Sequence, residues 1–540
     1  MPAARIIQEQ NKDNPIMPKD LSSSNQPPSP GTLSSRPDSD ISRRNFIKAG
    51  AAIGGLSVLD HSSVASALTK IGAAPGGKRP NIVFIISDQF NIDAITHYKN
   101  HYQHAAYGGH WVNTPHLDRL AQEGYSFIES HTPDPVCSPS RSCMFTGRMA
   151  IETGVVKINI GLDKNIPNMG QWFEQHTNYR RVYCGKWHIG GHWNYPRVSG
   201  PRKIPGFETL PVGGSGMGIY TDPQVSNSAA AFIANNHGDT PYLLVASLMN
   251  PHDICYWATN LDGKRVTPEA DIYELGDNLP ILPPNFHYDF KEPYGEQPYR
   301  GFHGHTQWRN YTYDYYRMVE DIDEHVGRIM DAVRERNDDT VVIFTSDHGE
   351  GLGRHQRIEK WHPYQSSVKV PFIIWSPNRI KSGVLDTEHL ISNVDIMPTL
   401  CNYAGIEPPP LQRGFNLRPI VDVDGAGVQT WRDNVYSNWQ ITGRNVRTKR
   451  YKWAMRYQYS GDFEKPFVRK SDGTHTQFVP GRGEDFAEYP NELLFDLEND
   501  PWELNNLADD PQYASVVRQH REILRDWEAK LIPGVHYDRN

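Results

Sequence analysis

The sequence predicts an α/β fold: a large, mostly parallel central sheet flanked by helices, followed by a smaller C-terminal α+β subdomain. Continuous apolar runs of strand length recur along the chain, as expected for strands buried on both faces of a sheet. Segments with apolar residues at helical spacing lie between these runs, and this alternation is typical of parallel sheets covered by helices. After about residue 433 the pattern changes to short strands separated by Gly- and Asp-rich turns.

The composition excludes several classes of protein. The chain has 540 residues, of which 38% are hydrophobic and 22% are charged, so it is neither a collagen-like rod nor disordered throughout. Its 55 basic and 63 acidic residues give a net charge of −8, and we therefore expect no nucleic-acid partner. Five scattered cysteines predict no disulfide framework. We find no apolar stretch of membrane-spanning length and expect no integral membrane segment.

Residues 1–67 are predicted to form a disordered leader and an export signal. A Ser- and Pro-rich stretch precedes Arg43 and Arg44, which are followed by an apolar run at 49–59 and by Ala-Ser-Ala at 65–67. This order is that of a cleavable secretory signal. The arginine pair resembles the bacterial twin-arginine signal, so we expect twin-arginine export machinery as a partner and a periplasmic or secreted protein. The alternative is a surface arginine pair before a buried helix.

Residues 78–430 are predicted to form the α/β domain. The predicted strands are 81–87, 242–247, 341–346 and 370–375, and the predicted helices include 114–123 and 313–336. Three of the strands run directly into polar clusters, at 87–89, 250–253 and 346–349. Because sites in open parallel sheets lie at the carboxyl ends of the strands, we expect these clusters to share one rim.

The segment that begins at Cys137 predicts an anion site. Ser138 is the expected N-cap of a helix, Pro139 its first residue and Gly147 its terminator. Cys137 then lies beside a helix N-terminus, where free N–H groups and the macrodipole favour an anion. Arg141 adds a positive charge near the same face. This arrangement suits a tetrahedral oxyanion, and the alternative is a capped helix with a buried cysteine.

Four ordered motifs closely resemble those of the type I, formylglycine-dependent sulfatases of the alkaline phosphatase-like superfamily. They are Cys-Ser-Pro-Ser-Arg with Thr-Gly-Arg in 137–148, Gly-Lys-Trp-His-Ile-Gly at 185–190, Asp-His-Gly-Glu-Gly-Leu-Gly-Arg-His at 347–355, and the segment 494–508. The resemblance spans about residues 81–508. It implies an alkaline phosphatase-like sandwich and hydrolysis of sulfate esters.

The resemblance implies that Cys137 is oxidised to formylglycine (3-oxoalanine), whose hydrate is the nucleophile, by a formylglycine-generating enzyme during maturation. It also implies one divalent metal, bound by Asp88, Gln89, Cys137, Asp347 and His348. Oxygen ligands favour Ca²⁺, with Mn²⁺ as the alternative. Gln89 replaces the commoner Asp and His348 the commoner Asn, a pairing similar to that of choline sulfatases and phosphonate monoester hydrolases. For these two residues, support of the ligands is the alternative role.

The remaining catalytic roles also come from the resemblance. Arg141 would hold the hydrate, and Lys186 would contact both hydrate and sulfate. His188 would be the base whose proton removal expels sulfate and restores the aldehyde. His252 would lie beside the leaving-group oxygen, and Lys360 would be a second sulfate-binding lysine. One lysine or His252 would protonate the leaving group, as general acid catalysis requires.

The substrate is predicted to be a sulfated carbohydrate or polysaccharide. Residues 256–316 form a long insertion rich in Tyr, Pro and His, and long irregular segments often carry function. Aromatic and histidine side chains suit sugar faces and anionic groups. The predicted substrate contacts are Trp193, Arg300, His303, His305 and Trp308. A structural cover over the sheet edge is the alternative role of this insertion.

Residues 431–540 are predicted to form the C-terminal subdomain, with strands near 436–439, 445–455 and 492–497 and a helix at 514–530. The four cysteines other than Cys137 are predicted to be small buried hydrophobes. Two other functions stay open. One is a phosphonate or phosphate ester hydrolase, or a choline-sulfatase-like enzyme, on the same fold. The other is an inactive protein that binds sulfated sugars, against which the intact set of catalytic residues argues.

Overall fold

The structure is a computed structural model that describes residues 79–98, 101, 111–190, 204–212, 216–259, 279–290, 299, 302, 304–439, 443–456 and 492–531. The predicted leader and export signal lie outside the described residues, and so do Trp193, Arg300 and His303. Within the described ranges, no helix is both long and apolar enough to cross a membrane.

The strands of the described ranges form three sheets. In chain order they are β1 (Asn81–Asp88), β2 (Tyr125–Phe127), β3 (Ser130–His131), β4 (Arg180–Gly185), β5 (Glu208–Thr209), β6 (Tyr242–Pro251), β7 (Thr340–Ser346), β8 (Phe372–Trp375), β9 (Val384–Asp386), β10 (Ile391–Ser392), β11 (Asn434–Trp439), β12 (Gly443–Thr448), β13 (Tyr451–Arg456) and β14 (Glu492–Asp496). The main sheet has the order β5-β4-β6-β1-β7-β8-β2-β9. In that sheet only β8 runs antiparallel to its neighbours, so the predicted mostly parallel sheet is confirmed.

Most of the α-helices cover the two faces of this sheet, and the last one packs on the C-terminal sheet. They are α1 (Pro115–Glu123), α2 (Cys137–Thr146), α3 (Ala150–Thr153), α4 (Met169–His176), α5 (Gly218–Asn235), α6 (Ile254–Thr259), α7 (His305–Arg336), α8 (Gln365–Val368), α9 (Ile396–Tyr403), α10 (Arg418–Val421) and α11 (Ala514–Leu531). Alternate residues of β1 enter two different cores: Phe84 packs in a layer with α2, α4 and α9, and Val83 in a layer with α1, α5 and α7. This two-sided burial explains why the strand is a continuous apolar run.

The long helix α7 differs from its prediction. It begins at His305 rather than at residue 313, so the last part of the supposed irregular insertion is helical. Trp308, Tyr311 and Tyr315 recur at helical spacing and are buried, with at most 4% of each residue exposed. In the sequence they belong to an insertion interpreted as a sugar-binding segment. In the structure they pack against the core and form the apolar face of a helix.

The C-terminal subdomain is confirmed as an antiparallel sheet, β11-β12-β13-β14, covered by α11. The predicted strand 445–455 is a hairpin of β12 and β13. Trp453 and Leu494 share a core with Leu524 of α11, and Cys143 of α2 belongs to the same core. The subdomain therefore packs against the helix that begins at Cys137. The boundary near residue 430 stays a prediction.

Candidate active site

Strands β1, β6 and β7 are parallel neighbours, and β4 lies next to β6, so their carboxyl ends meet at one edge of the sheet. Asp88 ends β1, Asp347 follows β7 and Lys186 follows β4. The polar segment at the end of β6 leads to His252. This geometry brings together side chains that are far apart in the sequence, as the strand pattern predicted.

Helix α2 places Cys137 at this rim, with one correction to the prediction. The helix begins at Cys137 itself and its N-cap is Val136, so the expected capping by Ser138 is wrong. Ser138 lies in the first turn, and its hydroxyl donates to the carbonyl of His188 at 2.5 Å. That bond ties the helix start to the segment after β4. Gly147 ends the helix in the left-handed region, with φ of 70°, as predicted.

Four side chains surround one point at the start of α2. The ligand-type atoms of Asp88, Cys137, Asp347 and His348 all lie within 4.8 Å of one another, and all four residues are buried. Cys137 Sγ is 3.1 Å from His348 Nε2 and 3.8 Å from Asp88 Oδ1. His348 Nε2 is 3.7 Å from a carboxylate oxygen of each aspartate. The set has the composition of a cation site rather than that of a salt bridge.

The orientation of His348 is fixed by a backbone contact. Its Nδ1 lies 3.0 Å from the carbonyl of Gly349, and a carbonyl oxygen only accepts, so Nδ1 carries the proton. Burial lowers the pKa of His348 and favours the neutral ring. The lone pair of Nε2 therefore faces Cys137 and the two aspartates, which is the arrangement that a metal-binding imidazole needs.

Two cations balance the two aspartates. Arg141 Nη2 is 3.0 Å from Asp88 and its Nε is 2.8 Å from Asp347, while Lys186 Nζ is 2.6 Å from Asp88. Burial by itself would raise the pKa of Asp88, but the positive charges of Lys186 and Arg141 hold it well below its usual value. Burial and then the charge of Asp88 raise the pKa of Asp347. Asp347 is thus the carboxylate whose negative charge is less fully compensated, and this chemistry fits a divalent cation beside it.

His188 and His252 are buried at the same rim. Burial and then the charge of Lys186 lower the pKa of His188 well below its usual value. Burial, followed by the charges of Lys186 and Lys360, does the same for His252. Both imidazoles are therefore neutral near pH 7, and a neutral imidazole can accept a proton from a neighbouring oxygen.

The structure places Lys360 next to Gln89. Lys360 Nζ donates to Gln89 Oε1 at 2.7 Å, and the lysine is 7% exposed. Burial alone would lower the pKa of Lys360, but electrostatic interactions, first with Cys137 and Cys255 and then with the carboxylates of Glu359 and Asp88, raise it well above its usual value. The ammonium is thus charged at the rim. The metal-binding role predicted for Gln89 stays a prediction, since its side-chain oxygen accepts from Lys360.

Sequence reasoning missed two residues beside Gln89. Glu350 accepts from Gln89 Nε2 at 2.5 Å, and it lies inside the motif at 347–355 that was read only for its metal ligands. Cys255 was predicted to be a buried hydrophobe, but it is partly exposed. Its Sγ lies 3.3 Å from Gln89 Nε2 and 3.6 Å from Lys360 Nζ. No sequence signal distinguished this cysteine from the others, because its contacts depend on tertiary structure.

Two of the five predicted substrate contacts lie in the described residues. The Trp308 ring packs against Phe286 and Phe302, with centroids 5.4 and 4.9 Å apart. His305, at the exposed start of α7, has its ring 5.4 Å from Phe286. These contacts fit the alternative in which the insertion covers the sheet edge. The substrate roles of both residues stay predictions.

Cys137 lies at a helix start beside a cluster of possible metal ligands, and Arg141, Lys186 and Lys360 surround it. This arrangement is that of a hydrolase for esters of a tetrahedral oxyanion. The sequence matches the sulfatase family over residues 80–406 and the C-terminal part of N-sulphoglucosamine sulphohydrolase over 353–479. The chain belongs to the sulfatase family, within the alkaline phosphatase-like superfamily, and is a sulfuric ester hydrolase.

Individual relatives agree with this assignment. The Δ4,5-hexuronate-2-O-sulfatase of Bacteroides thetaiotaomicron is 26% identical, over 84% of this chain and 90% of that protein. A solved structure in complex with its substrate, D-glucosamine-2-N,6-O-disulfate, superimposes with a TM-score of 0.66 at 20% identity, covering 86% of this chain and 100% of the other. The phosphonate monoester hydrolase of Agrobacterium radiobacter gives a TM-score of 0.58 at 21% identity, over 84% and 96%. At these identities the two solved structures show the shared fold alone.

Proposed function

We propose that the protein hydrolyses sulfate esters of carbohydrates, with a nucleophile made by oxidation of Cys137 to formylglycine and with Ca²⁺ in the cluster beside it. The observation that carries this proposal is the convergence of Cys137, Asp88, Asp347 and His348 at the start of α2. A sugar as the alcohol part of the substrate is supported by two similar proteins, the hexuronate-2-O-sulfatase and the protein solved in complex with disulfated glucosamine.

Asp88, Asp347 and His348 would hold the cation, which supplies Lewis-acid polarisation of a sulfate oxygen and lowers the pKa of the formylglycine hydrate. Arg141 lies between the two aspartates and is 0% exposed, so its guanidinium position is preset. Its remaining Nη1 donates to the carbonyl of Lys186 at 2.9 Å. Arg141 thereby orients the segment that carries Lys186, which would bind a sulfate oxygen.

The two histidines would take different proton roles. His188 would accept a proton from the hydroxyl at position 137, the step that releases sulfate. His252, beyond the end of β6, would lie beside the leaving-group oxygen, and the proton for that oxygen would come from Lys186 or Lys360, or from His252 once it has taken up a proton. An unactivated sugar alkoxide is a poor leaving group, so this proton would matter more for sugar sulfates than for aryl sulfates.

Mass spectrometry of the peptide that contains residue 137 tests the nucleophile. We expect the mass of formylglycine in protein made with a formylglycine-generating enzyme and the mass of cysteine without that enzyme. Only the converted protein should hydrolyse sulfate esters. Cys143→Ala is the matched control, because Cys143 is a buried cysteine of the same helix that packs in the C-terminal core. Full activity in unconverted protein would contradict the proposal.

Assays on defined substrates test the ester class. We expect sulfated mono- and disaccharides to be cleaved with higher kcat/KM than the matched phosphate esters, phenylphosphonate esters and choline sulfate. A preference for a phosphorus ester would favour the rival hydrolase, and a preference for choline sulfate would remove the carbohydrate assignment. Binding of sulfated sugars without turnover by converted protein would favour the inactive binding protein.

We also propose export through the twin-arginine route, on the strength of Arg43, Arg44 and the apolar run at 49–59. Fusing residues 1–67 to a reporter that is active only outside the cytoplasm tests this. The paired Arg43→Lys and Arg44→Lys change should retain the reporter inside. Unchanged export would show that the arginine pair is not read as a signal.

A further inference from the structure

The amide of Gln89 joins two charged groups at the rim. Its Oε1 accepts from Lys360 Nζ at 2.7 Å, and its Nε2 donates to Glu350 Oε2 at 2.5 Å. All three residues are buried: Gln89 and Glu350 are 0% exposed and Lys360 is 7% exposed. An ammonium only donates and a carboxylate only accepts, so both contacts are satisfied in one orientation of the amide and in neither when it is flipped.

Glu350 is itself held rigidly. Its Oε1 accepts from the hydroxyl of Tyr311 at 2.9 Å and from the backbone N–H of Glu359 at 2.5 Å. Its own backbone is held on both sides by one side chain, since Asn91 donates to the Glu350 carbonyl at 3.0 Å and accepts from its N–H at 2.6 Å. The carboxylate therefore presents Oε2 to Gln89 at a fixed position.

We propose that Glu350 is a positioning residue: it fixes the Gln89 amide with its oxygen toward Lys360, and so holds the Lys360 ammonium at the rim. The proposal rests on the sulfate-binding role proposed above for Lys360. In the described part of the chain, the Glu350 side chain hydrogen-bonds to Gln89, Tyr311 and backbone N–H groups, and not to Cys137. It acts through the Gln89 amide, whose oxygen and NH₂ group cannot exchange places. In this buried site, a flipped amide would leave donors without acceptors, which costs free energy.

The variant Glu350→Gln tests the proposal. The oxygen of the new amide must stay on the side of Tyr311 and the Glu359 N–H, since the backbone N–H there needs an acceptor. Its NH₂ group then faces the NH₂ group of Gln89, and a flip of Gln89 would turn its NH₂ toward the Lys360 ammonium. We expect kcat/KM for a sulfate ester to fall about 10- to 100-fold, as for other residues that orient active-site groups.

Glu359→Gln is the matched control. It removes a neighbouring carboxylate that acts on the charge of Lys360, but the Glu359 side chain makes none of the described hydrogen bonds to the Gln89 amide. We expect kcat/KM to change by less than about threefold, because Glu359 is half-buried and its charge is partly screened by solvent. Equal losses in Glu350→Gln and Glu359→Gln would overturn the proposal, because charge alone would then explain both.

The most specific test exchanges the amide at position 89 and the carboxylate at position 350. In the double variant Gln89→Glu with Glu350→Gln, the amide at 350 can donate to the carboxylate at 89, whose other oxygen can accept from Lys360. Each single variant should be impaired, and the double variant should recover at least about tenfold over Glu350→Gln, which is a positive coupling in a double-mutant cycle. A double variant no better than Glu350→Gln would overturn the proposal.

Two measurements separate this inference from the proposed function. In a crystal structure of Glu350→Gln, we expect Lys360 Nζ to leave hydrogen-bond distance of residue 89, and an unchanged 2.7 Å contact would overturn the positioning role whatever the activity. Unchanged kcat/KM in Lys360→Ala would instead remove the role of the lysine. If Glu350→Gln does not fold, Tyr311→Phe, which deletes one donor to Glu350, should lower kcat/KM about 3- to 10-fold, and no change would overturn the proposal.

Discussion

Among the described residues, two groups of largely buried charged side chains differ in how their carboxylates are arranged. The rim cluster consists of Asp88, Cys137, Arg141, Lys186, Asp347 and His348. The junction cluster, where the C-terminal strands meet the catalytic domain, consists of Glu129, Lys369, Arg444, Arg447, Lys452, Glu503 and Glu528. In the junction cluster each carboxylate lies beside at least one cation: Glu129 is 2.7 Å from Lys369 and 3.1 Å from Arg447, and Arg444 is 3.0 Å from Glu528.

The pKa shifts report this difference. Burial alone would raise the pKa of Glu129, but Lys369 and then Arg447 lower it to about 2. At the rim, burial and the neighbouring Asp88 raise the pKa of Asp347 despite Arg141. Burial of charge therefore does not by itself mark an active site. Convergence of two carboxylates with other metal-type ligands on one point does, because two adjacent negative charges cost stability unless a ligand compensates them.

The largest effect is expected from Cys137→Ala. The substitution removes the nucleophile and should lower kcat for sulfate ester hydrolysis by at least about 1,000-fold. The junction cluster is untouched, so Tm should stay within a few degrees of the parent protein. Steady-state kinetics and thermal unfolding check both statements. Residual activity near that of the parent would show that the rim cluster is not organised around residue 137.

Removal of the divalent cation should have the next largest effect. Chelation should lower kcat/KM by about 100-fold or more, since the proposed cation would both polarise sulfate and offset the charges of Asp88 and Asp347. Ca²⁺ added to the chelated protein should raise Tm. At a Ca²⁺ concentration of 100 times Kd, the free energy of unfolding should increase by about 2.7 kcal/mol. Asp347→Asn should abolish this Tm rise. If Mn²⁺ stabilises the protein more strongly than Ca²⁺, the metal assignment changes. No shift with any cation would contradict a metal site.

Breaking a pair of the junction cluster should act on stability alone. Glu528→Gln leaves the buried Arg444 guanidinium without its carboxylate, and we expect a loss of about 3 to 5 kcal/mol in the free energy of unfolding. The kcat/KM of the folded fraction should be unchanged. The double variant Arg444→Met with Glu528→Leu should recover most of the stability, because it removes both charges. Altered kcat/KM in Glu528→Gln would show that the two clusters are coupled.

The smallest effect is a pH dependence that differs in sign between the clusters. The pKa of Glu129 falls from 4.5 unfolded to about 2 folded, so its contribution is present above pH 4.5 and is lost as the pH falls toward 2. Above pH 4.5 this contribution to the free energy of unfolding is about 3 kcal/mol. Glu129→Gln should flatten the dependence of stability on pH between 2 and 4.5. The pKa of Asp347 is instead raised from 3.8 to about 7. In metal-free protein its contribution to stability is therefore fully present below pH 3.8 and is lost as the pH rises toward 7. Denaturant unfolding across pH measures both, and parallel profiles would contradict the comparison.

The sequence predicted what depends on short-range pattern. The buried strands, the helix that starts near Cys137 and its end at Gly147 follow from apolar runs and from turn chemistry within a few residues. The start of α7 was wrong because the aromatic residues from Trp308 onward read as a binding surface, and only packing against the core shows them to be a helix face. The cap at Ser138 was wrong because its hydroxyl bonds to His188, a residue remote in sequence.

The sequence by itself determined the family, the α/β architecture and the identity of the chemical groups, since motifs and strand order are local or ordered along the chain. Tertiary structure decided how those groups act on one another. The opposite pKa shifts of Asp88 and Asp347, the proton position on His348 and the link from Glu350 through Gln89 to Lys360 all arise from contacts between segments that the sheet brings together. Electrostatic and hydrogen-bond energies depend on distance and burial in space, and a sequence pattern contains neither.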